Sequence, residues 1–379
     1  MRILFIRSGY GKPDSRFEKE VAVAVDARHD VNIIAWDRTQ NIDKKHNLKI
    51  FTHEVPCIHI GVRSELSAGF KKNFIPMCKF NYRLFKLLKK NNKQYDLIHA
   101  SDFDTVLPGY YAKVRYKKKL VYDIYDYYVD SHHIPRIIKG IIRSIDNKII
   151  SNSDAVIICN EKRIQQIKPA TPRKLYIIHN SPELCLCNEF PSIAPKKRSF
   201  RIVFIGGIAK KGRYIFEMIE AVRERNDCEL IIGGFGSGED EIKLISQNNE
   251  NIIFIGKQDY EDVLSIENTA DVLTALYDPS LHNHKYAAPN KFYEALMLGK
   301  PIICAKNTNI DKIVNEESIG WVLDIPENDF ISEFNRALDK AIYGGVDLKK
   351  ISERTKKIFI EKYDWKIMKE RLYHLYKNI

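Results

Sequence analysis

With 379 residues, 44% of them hydrophobic, the chain is long enough for two or three globular domains, and no apolar run approaches the ~20 residues of a membrane span. The net charge is +12, but residues 1–180 hold 33 − 18 = +15 and the remainder 28 − 31 = −3, so the basic excess sits in the first half. A basic half implies an anionic partner, and no interleaving of aromatic and basic residues marks a nucleic-acid binder, which leaves phosphorylated substrates and acidic lipid.

Residues 2–6 read as a buried strand rather than a signal peptide, since no small-residue cleavage site follows. A loop with Gly9 and Gly11 leads to a helix from Ser15 to Arg28 and a strand from Val31 to Ala35, a βαβ start that implies a parallel sheet. The Gly-x-Gly lacks the third glycine of a dinucleotide fingerprint. Over 70–91, Phe74, Met77, Phe80, Leu84 and Leu88 recur at helical spacing with Lys79, Arg83, Lys86, Lys89 and Lys90 between them. Such a basic amphipathic helix suits an anionic membrane face, or packs with its basic face in solvent. Strand 97–100 ends in Asp102-Phe103-Asp104, an Asp-x-Asp that resembles a divalent-metal nucleotide-sugar motif but is a three-residue pattern that chance often supplies. Strand 120–124 runs into Tyr125-Asp126, at the carboxyl end where parallel sheets bind ligands. Helix 137–152, strand 155–159, helix 161–167 and strand 174–179 follow, and 183–199, rich in proline, reads as a linker. Its Cys185 and Cys187 are too close for an easy bridge. None of the seven cysteines shows C-x-x-C spacing, so reduced thiols and a cytoplasmic protein are expected.

Strand–helix alternation resumes at Arg201. Strand 202–205 leads into Gly206-Gly207-Ile208-Ala209-Lys210-Lys211-Gly212, read as a loop whose N–H groups and lysines can cradle a diphosphate. Strand 229–232 precedes a second glycine run that includes Gly234. The next strand ends in Gly256-Lys257, without the acidic residue that a nicotinamide ribose needs. His282 and His284 have no further ligands at metal spacing. Pro289 and Asn290 open a helix that Gly299 stops, before a buried strand from Pro301 to Ala305. A helix N-terminus binds anions; Lys291 adds charge there, and Glu294, one turn in, can accept from ribose hydroxyls. Strand 320–323 and helices 328–343, 348–362 and 364–376 complete the chain. The last helix carries an apolar stripe of Trp365, Met368, Leu372 and Leu375.

Phe204-Ile205-Gly206-Gly207 with Lys211-Gly212, Ile231-Ile232-Gly233-Gly234-Phe235-Gly236, Phe254-Ile255-Gly256, and Asn290-Lys291-Phe292-Tyr293-Glu294-Ala295 with Gly299-Lys300-Pro301 occur in this order. The series resembles the family 4 retaining GT-B glycosyltransferases, and Tyr363-Asp364-Trp365 before a helix resembles their ending. The resemblance implies two Rossmann-like doubly wound α/β domains with a cleft between them: 1–182 for the acceptor and 200–362 for the nucleotide sugar. The closing segment 363–379 would cross back to the first. It implies Glu294 on the ribose, the backbone of Asn290 and Lys291 beside Pro289 at the phosphates, and Lys210 or Lys211 on the diphosphate leaving group. Gly206, Gly207 and Gly234 would allow close approach, and Gly9 and Gly11 would face the donor.

Two positions depart from the family pattern. Tyr286 stands where the family commonly has Glu, eight residues before Glu294, and Tyr125 replaces a frequent His. Both are expected near the transferred sugar, with Asp126 polarising an acceptor hydroxyl or binding sugar hydroxyls. No metal or other cofactor is implied; the partners are a nucleotide-sugar donor, a glycan or lipid-linked glycan acceptor and an anionic membrane surface. A silent GT-B subunit and a nucleotide-sugar epimerase are the alternatives.

Overall fold

Ile3-Leu4-Phe5-Ile6 is apolar on both faces, as a central parallel strand must be, and all four side chains are buried. The structure, a computed structural model, describes residues 1–65, 69–132, 134–184, 194–197, 199–325 and 329–379. Cys185, Cys187 and most of the expected linker 183–199 lie outside these. The chain divides into unit 1, Met1–His179 with Ile367–Ile379, and unit 2, Asn180–Lys366.

Unit 1 runs β1 (Arg2–Arg7), α1 (Ser15–Asp26), β2 (Asp30–Asp37), β3 (Lys44–Ile50), β4 (His53–Gly61), α2 (Gly69–Lys90), β5 (Leu97–Ser101) and α3 (Phe103–Tyr116). It continues with β6 (Lys119–Ile124), α4 (Tyr128–Ser131), α5 (Arg136–Asn152), β7 (Ala155–Ile158), α6 (Arg163–Gln166) and β8 (Leu175–Ile177). The sheet order is β3-β4-β2-β1-β5-β6-β7-β8, parallel except for the edge strand β3. The order reverses between β1 and β5. Helix α1 starts at Asp14, whose side chain accepts from Phe17 N at 3.2 Å while Asp14 N donates to Glu18 at 2.9 Å.

Unit 2 runs β9 (Phe200–Ile208), α7 (Ile215–Val222), β10 (Cys228–Gly236), α8 (Glu239–Gln247), β11 (Ile252–Gly256), α9 (Tyr260–Asn268) and β12 (Val272–Ala275). Then come α10 (Asn290–Leu298), β13 (Ile302–Ala305), α11 (Asp311–Glu316), β14 (Gly320–Leu323), α12 (Phe330–Tyr343), α13 (Leu348–Ile358) and α14 (Trp365–Asn378). Helix α14 belongs to unit 1 from Ile367 on. The sheet order is β11-β10-β9-β12-β13-β14, all parallel, reversing between β9 and β12. Alternate residues of β9 feed two cores: Val203 and Ile205 pack on one face of the sheet, Ile202 and Phe204 on the other. Each such buried side chain contributes about 1.5–3 kcal/mol.

The glycine runs differ from their sequence reading. Gly206 and Gly207 are not loop but the end of β9, paired with Gly234 and Phe235 of β10. The reason is steric. Gly234 has φ +128°, and a Cβ there would collide with the Gly206 carbonyl. Glycine at 234 lets two strand ends approach as no side chain would.

Candidate functional site

The carboxyl ends of β9 and β10 border a cavity of about 410 Å³ in unit 2, at the strand reversal where open α/β sheets bind ligands. Gly206, Gly207, Gly234, Pro289, Asn290, Lys291 and Glu294 all line it, so unit 2 gathers seven of the residues expected at the donor. Pro289 caps α10 in extended conformation, and the helix ends at Gly299 with φ +71°, where Lys300 N donates to Ala295 O at 2.8 Å. Asn290, Lys291 and Glu294 bring the start of α10 to the cavity, and a helix start leaves backbone N–H groups without intrahelical partners.

Lys291 reaches the site through its side chain as well. Its ammonium lies over Gly206, where any Cβ would collide with it, and 4.7 Å from the centre of the Phe204 ring. Burial pushes the ammonium below its usual range; Arg213 pushes the same way, and Glu294 and Glu267 oppose them. Glu267, at the end of α9, is almost fully buried with Oε2 unpartnered, and burial together with Glu294 pushes its carboxyl well up. Lys291, Glu294 and Glu267 thus form a buried charged cluster, of which Lys291 and Glu294 line the cavity.

Lys210, Lys211 and Tyr286 are not among the lining residues. Lys210 points outward and pairs with Glu241 at 2.8 Å, Lys211 is exposed, and Tyr286 sits in a 3-10 turn over 282–286. In that turn His284 Nδ1 lies 3.0 Å from the Asp278 carbonyl. Arg213, Lys257 and Phe235 line the cavity and were not singled out from the sequence. Arg213 Nη1 is 3.4 Å from Tyr277 Oη, and Lys257 lies 5.5 Å over the Phe235 ring. The signal for Arg213 was its place directly after Gly212, closing the basic run Lys210-Lys211-Gly212-Arg213.

The remaining predicted residues stand in unit 1. Gly9 and Gly11 follow β1; the Gly9 carbonyl accepts from Trp36 N at 3.0 Å, and Gly11 has φ +84° with Phe17 directly behind it. At the β1–β5 reversal, Arg7 donates to Asp102 at 2.7 Å and to Asp14 at 2.9 Å. Asp102 also accepts from Tyr125 N at 2.9 Å and Asp126 N at 3.3 Å, and holds φ +64°, a strained value for a side-chain-bearing residue. Burial pushes its carboxyl up to about 6 despite Arg7. The Tyr125 ring lies under the guanidiniums of Arg7 and Arg16, at 4.2 and 4.8 Å, with its hydroxyl buried and unpartnered. Asp126 is half exposed and accepts from the buried Arg163 at 2.7 Å.

Arg16 also belongs to a buried network that the sequence did not reveal. Arg16 pairs with Asp123 at 2.7 Å and Glu20 at 3.1 Å, and His99 Nε2 is 3.5 Å from Glu20 and 3.6 Å from Asp123. Glu20, His99 and Asp123 are close enough together to hold a metal ion. The Arg16 guanidinium already supplies the positive charge there, so we read the network as structural. Burial pushes Asp123 up, but Arg16 and His99 more than offset it and hold it at about 2; burial and Asp123 push Glu20 well up.

In sequence, residues 188–358 match the family model described as Glycosyl transferases group 1. No curated protein matches the chain. In structure it is similar to sucrose-phosphate synthase from Thermosynechococcus elongatus (TM-score 0.69, 15% identity, 100% of this chain and 98% of that one). HepE from Anabaena, solved with UDP and glucose, is similar at TM-score 0.71 and 16% identity, covering 100% of both chains. The lipopolysaccharide outer core galactosyltransferase WaaB in its apo form is similar at TM-score 0.65 and 14% identity, again over 100% of both. The fold is GT-B.

Proposed function

We propose, on the premise that residues 188–358 are a group 1 glycosyltransferase domain within a GT-B fold, that this chain moves a hexosyl group from a nucleoside diphosphate sugar to an acceptor hydroxyl, with retention at the anomeric carbon. One observation carries the reading. The cavity at the β9–β12 reversal combines a helix N-terminus, three cations (Arg213, Lys257, Lys291), glycines at the strand ends and one carboxylate, Glu294. A nucleoside diphosphate needs these groups: N–H dipoles and cations for the phosphates, a carboxylate for ribose hydroxyls.

Negative charge grows on the departing diphosphate as the glycosidic bond breaks. Fixed donors aimed at that charge are worth about 3–4 kcal/mol each, because they need no reorganisation. Arg213, Lys291 and the α10 N-terminus are assigned to it, with Lys210 and Lys211 adding positive field from the exposed loop. No metal is needed in this scheme. In unit 1, Tyr125 and Asp126 are assigned to the transferred sugar and the acceptor hydroxyl, and Gly9 and Gly11 to the donor.

The acceptor is proposed to be a surface or lipid-linked glycan on the cytoplasmic face of a membrane. The +15 charge of residues 1–180 supports an anionic acceptor or surface, and a fold likeness to a lipopolysaccharide core galactosyltransferase is consistent with a surface glycan. Among the described residues no helix is long and apolar enough to cross a membrane, so attachment would be peripheral.

A thermal-shift panel of nucleoside diphosphates, beginning with UDP, tests the donor site. A nucleotide at 100 times its dissociation constant should stabilise by about 2.7 kcal/mol. Product analysis with and without acceptor then separates transfer from epimerisation. Nucleotide binding without turnover would indicate a silent subunit.

A further inference from the structure

Arg163 is buried, but its charge is balanced from the surface. Its side chain is 1% exposed, while Asp126, the only carboxylate it pairs with among the described residues, is 55% exposed. The other buried arginines of the chain differ. Arg201 pairs with Glu229 and Arg16 with Asp123, and in each pair both members are buried. There the two charges leave water together, as a pair that only holds the fold would do. At Arg163 the cation is taken out of water and the anion stays where a ligand can reach it.

The guanidinium is engaged through every nitrogen. Nε donates to Cys159 Sγ, Nη1 to Gln166 Oε1 and Nη2 to Asp126 Oδ1, each at 2.7 Å. Gln166, the last residue of α6, donates in turn to Asp130 Oδ2 at 3.1 Å. Asp126 and Asp130 are four residues apart and Arg163 and Gln166 three, so two parallel contacts tie the segment after β6 to α6. The Asp130 side chain is buried and also meets Lys139 at 3.4 Å and Arg143 at 3.5 Å, which makes it the anchor of that segment. A planar fork held at all three nitrogens has one orientation, and it hands that orientation to Asp126.

We infer that Arg163 is a positioning residue for sugar transfer: it fixes the Asp126 carboxylate at the carboxyl edge of the unit 1 sheet, in the orientation that meets the acceptor hydroxyl. The inference rests on the assignment of Asp126 above and deepens it. A carboxylate on an exposed turn keeps one geometry only if something rigid holds it, and a hydroxyl needs its partner within hydrogen-bond reach. Arg163 is too deeply buried to meet a substrate itself, so it acts through Asp126.

Release of UDP from UDP-glucose, UDP-galactose and UDP-N-acetylglucosamine, with water or octyl glucoside as acceptor, tests this. The full chain is compared as wild type, Arg163→Met, Arg163→Lys, Asp126→Asn and the double variant Arg163→Met/Asp126→Asn. Arg163→Met should lower kcat per folded molecule by about tenfold or more, with the donor KM unchanged. That loss should vanish in the Asp126→Asn background, because residues that act as one unit are not additive. Arg163→Lys keeps the charge without the fork and should recover part of the rate. Wild-type kcat in Arg163→Met, or losses that multiply in the double variant, would overturn the inference while Asp126→Asn still shows its own loss. A lowered thermal midpoint with kcat per folded molecule intact would make Arg163 structural and overturn it as well. Should Arg163→Met fail to fold, the same cycle is run with Arg163→Lys, whose deficit should also vanish in Asp126→Asn. An Asp126→Asn rate equal to wild type, or no UDP release by the wild type, would overturn the assignment of Asp126 and this inference with it. UDP-induced thermal stabilisation, read on every variant, reports the donor site independently and should not move.

Discussion

The ammonium of Lys291 lies directly over Gly206, so that the strand end and the first turn of α10 meet through a lysine resting on bare backbone. Gly206→Ala puts a methyl where that ammonium sits. The clash is with the far end of a flexible side chain, so the fold should survive while Lys291 swings away. Affinity for a nucleoside diphosphate should fall about tenfold, or ~1.4 kcal/mol, by titration calorimetry. Wild-type affinity in the variant would remove Lys291 from the phosphate site.

Glu294→Ala tests the ribose contact. Loss of a charge-assisted hydrogen bond costs roughly 1.5–3 kcal/mol of nucleotide binding. Removing Glu294 also relieves Glu267 of one group that pushes its carboxyl up and takes from the buried Lys291 ammonium one group that supports it, so the thermal midpoint is read beside the affinity. Weaker binding in a protein no less stable would separate ligand contact from folding; unaltered binding would end the ribose assignment.

The α5 residue Asp146 gives unit 1 a pH dependence. Tyr122 Oη donates to it at 2.9 Å, and burial pushes its carboxyl up to about 7. An unfolded aspartate titrates near 3.9. Between those values the folded state holds more protons than the unfolded one, so stability falls as pH rises through the window and levels off above about 7. The slope is at most ~1.4 kcal/mol per pH unit. Urea midpoints from pH 4 to 8 should fall in the wild type and fall less steeply in Asp146→Asn, the remaining slope coming from Asp102 and Glu20, whose carboxyls burial also raises. A variant with the same slope as wild type would pass the whole effect to those two.

Turnover is expected to persist in excess EDTA. Asp102, the first acid of the Asp-x-Asp, stands at the N-cap position of α3, and its carboxylate already accepts from Arg7 and two backbone N–H groups. A complete loss of activity restored by Mg²⁺ or Mn²⁺ would instead require a metal-bridged donor.

Long buried strands were legible because their apolar runs leave little choice. Helix α2 was legible from its period, and α10 from Pro289 and Gly299. Helix α3 was not, since Pro108 and Gly109 interrupt it. The helix lies close on the sheet there: a Cβ at 109 would stand 3.2 Å from Leu120 and 3.4 Å from Ile98, tighter than most such contacts. The β3–β4 hairpin was hidden by Pro56 and by the many lysines and histidines of an edge. At the candidate site the glycines and α10 could be read locally. Arg213 had a local signal in the basic run it closes, but Lys257 and Glu267 had none, because strand order, not sequence spacing, brings Lys257 to the cavity and Glu267 beside Lys291 and Glu294. The Arg16–Glu20–His99–Asp123 network was invisible for the same reason: its members lie on three elements, α1, β5 and β6.

Tyr376 Oη shares a hydrogen bond of 2.9 Å with His99 Nδ1 inside that network. Tyr376→Phe leaves the buried imidazole nitrogen without its partner, at a cost of about 1–3 kcal/mol in unit 1. Differential scanning calorimetry should show a lowered unit 1 transition and an unmoved unit 2. Equal shifts in both, or none, would mean that the bond does not hold α14 in unit 1.

The same bond sets an order of events during synthesis. Unit 1 takes residues from both ends of the sequence, Met1–His179 and Ile367–Ile379, so its β-sheet leaves the ribosome long before its last helix does. Through the translation of all of unit 2, Met368, Leu372, Leu375 and Tyr376 have yet to cover the ground they bury. Domains generally fold as they emerge, first part first. Here the first unit to emerge is the last to be completed, and the charged cluster around His99 waits some two hundred residues for its lid. A nascent chain stalled short of the final helix should therefore carry a protease-resistant unit 2 and a labile unit 1.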